Sequence, residues 1–170
     1  MIIGSLVFGE DQPVADFVSQ RIPHMLGVRW SGDFNAVGVV RNGVPVGGVV
    51  FHNKRFLPTG ELVDVEMSAA FETSDWCRPS TLRQLFKFPF VVLNSNRMTT
   101  ITTKKNRRAR MVDEGLGFTQ EGIHPQAIDG VQDAVSYGML RKNCLWLDPS
   151  RHKEALQQVR RVQEKWKKHG

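Results

Sequence analysis

The chain has 170 residues, 41% of them hydrophobic and 24% charged, the size and balance of a single globular domain with a core of its own. Its apolar runs, such as "VGVV" and "FVVL", stop at four or five residues, far from the roughly 20 that cross a bilayer, and the first residues lack the basic-then-apolar pattern of a secretory signal; the expectation is a cytoplasmic protein with no membrane partner. The net charge of +6 is local, because residues 151–170 carry seven Lys or Arg against two Glu, and a second cationic run without flanking acids extends from Arg97 to Arg110.

"MIIGSLVFG" reads as a first strand and "EDQPVADFVSQRI" as a helix, with an acidic start, a Pro in the first turn and Val14, Phe17 and Val18 at helical spacing. "FNAVGVVRNGVPVGGVVFHN" holds two β-branched runs around Asn42-Gly43, a pair that tolerates positive φ and so predicts a tight hairpin. "ELVDVEMSAAF" follows as a third strand, half-buried and with a register irregularity, because Leu62, Val65 and Met67 alternate imperfectly with Asp64, Glu66 and Ser68. In "RPSTLRQLFKFPFVVL" the period becomes helical through Leu82, Leu85, Phe86 and Val92; Ser80 or Thr81 would open the helix and Pro89 would kink or end it. "RMTTITT" is a strand, and "NRRARMVDEG" a helix capped by Asn106 and stopped at Gly115 or Gly117. "FTQEGI" and "DAVSYGML" are two closing strands. Ala155, Val159, Val162 and Trp166 then form one apolar stripe on an otherwise cationic tail helix.

This order describes an α/β domain over residues 1–148 whose sheet mixes hairpins with strand-helix-strand crossovers, followed by a basic amphipathic helix over 149–170. Cys77 and Cys144 stand 67 positions apart with neither CxxC spacing nor a His at ligand spacing, which suggests reduced, partly buried thiols and no metal site.

"NRRARMVDEGLGF", together with "EMSAAF", "LFKFPFVVL", "RMTTITTKKN", "EGI" and "SYGML" in that order, resembles the GNAT family of N-acetyltransferases, in particular its ribosomal-protein-type and phage or prophage branches, over roughly residues 1–147. The resemblance implies a mostly antiparallel mixed sheet with splayed central strands, holding acetyl-CoA between them and passing its acetyl group to a primary amine by direct attack. It places the pyrophosphate at the start of the middle helix, at Arg78, Ser80, Thr81, Leu82 and Arg83, where a helix N-terminus offers free N–H groups. Met67, Ser68 and Ala69 would present main-chain groups to the pantetheine arm, Asn106 would bond to it, and Arg107 and Arg108 would lie near the phosphates. Two features depart from the family pattern. "RPSTLR" lacks the glycines that let a backbone approach an anion, and Pro79 removes a donor. Where many members have a proton-donating Tyr, this chain has Asp113, and an ordinary carboxyl with a pKa near 3.9 has no proton to give at pH 7.

Glu66, on the strand beside the cleft, is the candidate general base, and Tyr137, the chain's single Tyr, the candidate for the remaining proton transfer. A second reading keeps the fold without the catalysis: a binding module whose residues 151–170 hold nucleic acid or an acidic protein through their cations. The apolar stripe of the tail would alternatively dock on the domain itself or on a second copy in a homodimer.

Overall fold

The Asn42-Gly43 hairpin forms with both residues at positive φ, 52° and 78°, and joins β3 (Asn35–Arg41) to β4 (Val44–Phe56). The computed structural model describes residues 1–3 and 5–169; Gly4, within the stretch read as the first strand, and Gly170, at the end of the tail, lie outside the described residues. The remaining strands are β1 (Ile2–Ile3), β2 (Leu6–Phe8), β5 (Leu62–Phe71), β6 (Arg97–Thr103), β7 (Thr119–His124) and β8 (Ala134–Leu140). They form one sheet in the order β1-β2-β3-β4-β5-β6-β8-β7, antiparallel throughout except for the parallel pair β5-β6.

Alternation along the strands assigns the two faces. Ala36, Val50 and Ala70 meet Ala15 and Val18 of α1 (Asp11–Ser19) on one face. That helix lies close to the sheet, for an added Cβ at Gly48 would stand 2.7 Å from Val14 Cγ1. On the other face, Val37, Val39, Val49, Phe51 and Val65 pack in one cluster with Leu82, Leu85 and Phe86 of α2 (Pro79–Lys87), Leu116 of α3 (Arg107–Leu116), and Ala155, Val159 and Val162 of α4 (His152–His169). The tail stripe is therefore docked on the domain's own core, while Arg160, Arg161, Lys165, Lys167 and Lys168 face solvent. Among the described residues, no helix is long and apolar enough to cross a membrane.

Several expectations are corrected in detail. The first strand is a pair, Ile2↔Val7 and Ile3↔Leu6, in place of one continuous run. Arg78, not Ser80 or Thr81, occupies the position before α2, and Pro79 opens the helix, where its missing N–H costs nothing. The end expected near Pro89 is seen, with α2 stopping at Lys87, but Phe88–Val92 carry the chain on as a π-turn, the wider coil that absorbs a proline's lost bond. The register irregularity foreseen for β5 lies in its pairing with β4, between His52 and Phe56. Asp64 is 3% exposed, held by Arg55, by Arg97 Nε at 3.4 Å and by the Thr99 hydroxyl at 2.9 Å.

Candidate active site at the fork of the sheet

The parallel pairing of β5 with β6 runs from Asp64↔Arg97 to Met67↔Thr100. Beyond it each strand keeps only its outer neighbour, Ser68–Phe71 pairing with β4 and Ile101–Thr103 with β8. The two strands thus part, and a cavity of about 670 Å³ opens through the fork, from Ile22–Met25 on the α1 face to Leu82, Asp113 and Trp166 on the other. One edge of Ser68–Phe71 is turned to this opening, so its main-chain groups are available for an extended ligand to pair with as an added strand.

Met67, Ser68, Ala69, Leu82, Asn106 and Arg108 all line the cavity, which brings together six of the residues singled out from the sequence. Asn106 caps α3, its Oδ1 accepting the Ala109 N–H at 3.0 Å, and Gly117 closes the helix in the left-handed conformation at φ 100°. Other expected residues lie elsewhere. Arg78 reaches back to Asp75 at 3.0 Å, Arg83 donates to Nδ1 of His152 at the start of α4, the Thr81 hydroxyl lies 3.4 Å from that of Ser5, and Ser80 and Arg107 are exposed. The cationic side chains at the start of α2 are thus spent on local partners. Tyr137 is fully buried and lies across the strand pair from Thr100 without lining the cavity; its hydroxyl receives the Arg110 Nε–H at 3.1 Å and donates to Glu114 at 3.0 Å, and burial raises its pKa.

Glu66 lines a second cavity of about 600 Å³, together with Trp30, Asp33 and His52, and accepts from Asn53 Nδ2 at 2.9 Å. The two cavities share His24 and Met25. Between them stands a buried contact, His52 Nε2 to Ser68 Oγ at 2.9 Å, with Ser68 on the wall of the first cavity and His52 on the wall of the second. Burial lowers the His52 pKa, opposed by the charge of Glu66 directly across the strand pair. The ring is therefore neutral near pH 7, able to accept a proton at one nitrogen and give one at the other.

Asp113 is the residue that sequence reasoning set aside. It projects from α3 to the apex of the fork, where its carboxylate accepts the Thr100 hydroxyl at 2.9 Å. Burial pushes its pKa up to about 7, against the pull of that hydroxyl. A carboxyl in this state carries a proton for much of the time at neutral pH. The sequence held one signal for it: an acid at the seventh position of a short amphipathic helix falls on the same side as Ala109, Val112 and Leu116, which is the buried side. Cys77 and Cys144 are buried, and desolvation pushes their thiols up to about 12 and about 11, which leaves neither as a thiolate nucleophile.

The fold around this fork is shared with solved acetyltransferase structures. The fold is that of the GNAT-type N-acetyltransferases. The chain is similar to mutant forms of the spermidine/spermine N-acetyltransferase SpeG from Vibrio cholerae, with 14% identity over 82% of this chain and 96% of that one and a TM-score of 0.63. It is similar to RimJ of Mycobacterium smegmatis in complex with CoA-disulfide, at 16% identity over 65% of this chain and 55% of that one, TM-score 0.54. A structure described as a probable acetyltransferase matches at 22% identity over 65% of this chain and 62% of that one, TM-score 0.53. Neither a protein-family model nor a curated protein matches the chain.

Proposed function

We propose that the protein is an acetyl-CoA-dependent N-acetyltransferase acting on a primary amine by direct attack within a ternary complex. The observation that carries this reading is the cavity at the fork, lined by an open strand edge on one side and a protonatable carboxyl at its apex, in a fold that the similar structures use for N-acetyl transfer. Acetyl-CoA supplies an activated acetyl thioester. Its arm fits the open edge of Ser68–Phe71 as a paired strand, and Leu82, Asn106 and Arg108 line the way in. The high thiol pKa of Cys77 and Cys144 favours direct attack over an acetyl-cysteine route.

The second cavity is the approach for the amine. Glu66 takes the proton that an incoming ammonium must lose, and the neutral His52–Ser68 pair leads from that carboxylate to the first cavity. Asp113, at the apex of the fork on its α3 side, holds a proton at its carboxyl that a departing sulfur can take. Holding both reactants at one opening in the sheet contributes through proximity, and the unpaired N–H groups of the strand edge are donors for a carbonyl oxygen. The acetylated amines named for the similar structures, spermidine and spermine, are polycations, a class that an approach lined by Glu66 and the Trp30 ring would accept.

The reading is tested by following free CoA thiol released from acetyl-CoA as primary amines, from diamines to lysine-containing peptides, are added. At least one amine is expected to accelerate release. Glu66→Gln is expected to lower turnover with that amine about 100-fold while CoA affinity stays within twofold. Thiol release that no amine accelerates would count against the reading, and turnover unchanged in Glu66→Gln would remove that residue from the role of base.

A further inference from the structure

Of the cationic residues expected at the cofactor's phosphates, Arg78 and Arg83 are engaged with Asp75 and His152 and Arg107 is exposed outside the cavity lining, which leaves Arg108. The cavity nevertheless has a cluster of donors at the end remote from the apex of the fork. Trp76, in the loop between β5 and α2, is 1% exposed, and its ring stacks on Phe71 with centroids 4.7 Å apart. With β5 rising about 3.3 Å per residue, Phe71 lies roughly 13 Å along the strand from Met67 at the apex. The Trp76 indole N–H is buried and has no hydrogen-bond partner among the described residues, and the same holds for Nε of Arg108 on the first turn of α3. Both side chains line the cavity. An orphaned buried donor costs about 1–3 kcal/mol, so two in one wall point to an acceptor that arrives with a ligand.

A third side chain joins them. Trp166, near the end of α4, meets Trp76 edge-on at 5.5 Å between ring centroids, and the Arg108 guanidinium lies 3.5 Å over the Trp166 ring. Stacking of this kind holds a guanidinium flat and leaves its N–H groups directed outward in the plane, the arrangement suited to phosphate. The helix that brings Trp166 here is anchored on both sides of the cavity: Gln163 Nε2 donates to the Cys77 carbonyl at 2.7 Å and Gln158 to that of Gly115. Lys105 adds a second positive charge to the wall, and the one carboxylate at this end, Glu72, is neutralised by Arg21 at 2.6 Å.

We propose that Trp76, Arg108 and Trp166 form a diphosphate-binding station at the far end of the fork, so that the C-terminal helix supplies one wall of the cofactor cleft. The station replaces the glycine-rich loop that the chain lacks: side-chain donors from a loop and a helix, set by an aromatic ring of the tail, do the work that close backbone approach does elsewhere. This rests on the CoA-dependent reading above and specifies which residues take the cofactor's charge.

The test is calorimetric titration of wild type and Trp76→Phe with CoA and, separately, with pantetheine, which has the arm without the diphosphate. The phenyl ring keeps an aromatic partner for Phe71 and removes the N–H together with the second ring of the indole. The expected result is a CoA Kd about tenfold weaker and a pantetheine Kd unchanged. Arg108→Gln gives the same CoA-against-pantetheine contrast where Trp76→Phe does not fold. Equal CoA binding by the variants and wild type, or an equal loss for both ligands, overturns the station while leaving the acetyltransferase reading in place. Wild-type protein that binds no CoA overturns both.

Discussion

Asp113→Asn is expected to lower turnover about 10- to 100-fold and to remove the falling limb from the pH–rate profile. A carboxyl with its pKa raised to about 7 by burial is protonated at pH 6 and mostly ionised at pH 8, so a reaction that draws on its proton slows as pH rises through 7. This opposes the requirement of an amine, which reacts better as it loses its proton, and the two limbs together predict a bell. The effect is placed at the low end of general-acid contributions because a thiolate leaves readily. Asn keeps an acceptor for the Thr100 hydroxyl, so the fork is preserved while the proton is removed.

The same residue couples to stability with a definite sign. Its pKa is raised on folding from the ordinary 3.8, so the folded state binds the extra proton between about pH 4 and pH 7. The stabilisation is complete below pH 4 and is lost as pH rises through 7, where the carboxyl ionises in a buried site. The expected size is on the order of a few kcal/mol. Thermal denaturation from pH 5 to pH 8 is expected to show a falling Tm in wild type and a flatter course in Asp113→Asn, with the variant the more stable at pH 8. Parallel curves would show that Asp113 is not the group with the raised pKa.

Removing residues 152–170 is expected to destabilise the protein by several kcal/mol and lower Tm by more than about 10 °C, or to leave it insoluble. Ala155, Val159 and Val162 are all buried, and each buried Val contributes roughly 1.5–3 kcal/mol relative to exposure. The deletion also bares their partners: Cys77, whose thiol donates to the Val159 carbonyl at 3.9 Å, and Gly115, where an added Cβ would stand 2.5 Å from Val162 Cγ2. Total stabilities of about 5–15 kcal/mol leave little margin for such a loss. A tail that served only as a cationic arm would be removed with Tm unchanged, which is the outcome that contradicts this account. Replacing Arg160, Arg161 and Lys165 by Gln, by contrast, changes exposed groups and is expected to leave Tm within about 2 °C.

Elements written in local chemistry were legible before the structure. Asn42-Gly43 needed two positive φ values, Asn106 needed a free N–H at a helix start, and Gly117 needed the left-handed region; each is decided within four residues of chain. The opening of the sheet was reached only through resemblance, because where β5 and β6 stop pairing depends on which neighbours they take, β4 and β8, far away in sequence. The site residues divide along the same line. Met67, Ser68 and Ala69 belong to β5, one of the two strands of the fork, and Asn106 to the helix start beside it, and all four line the cavity. Arg78 and Arg83 were read as free cations because sequence does not show that Asp75 and His152 would engage them. Asp113 was read as an ordinary acid because its pKa depends on burial, and Trp166 was read as part of a stripe because its contacts with Trp76 and Arg108 span residues 58 to 90 positions apart in the chain.

The central claim is that the fork takes CoA, and thermal denaturation with and without it is the most direct measurement. A ligand that binds only the folded state stabilises by RT ln(1 + [L]/Kd), about 2.7 kcal/mol at 100 times Kd, which for a chain of this size raises Tm by roughly 5–10 °C. A rise of that order at 1 mM CoA, saturating with concentration and absent with adenosine alone, is the predicted result. A Tm that does not move at millimolar CoA or acetyl-CoA would contradict it.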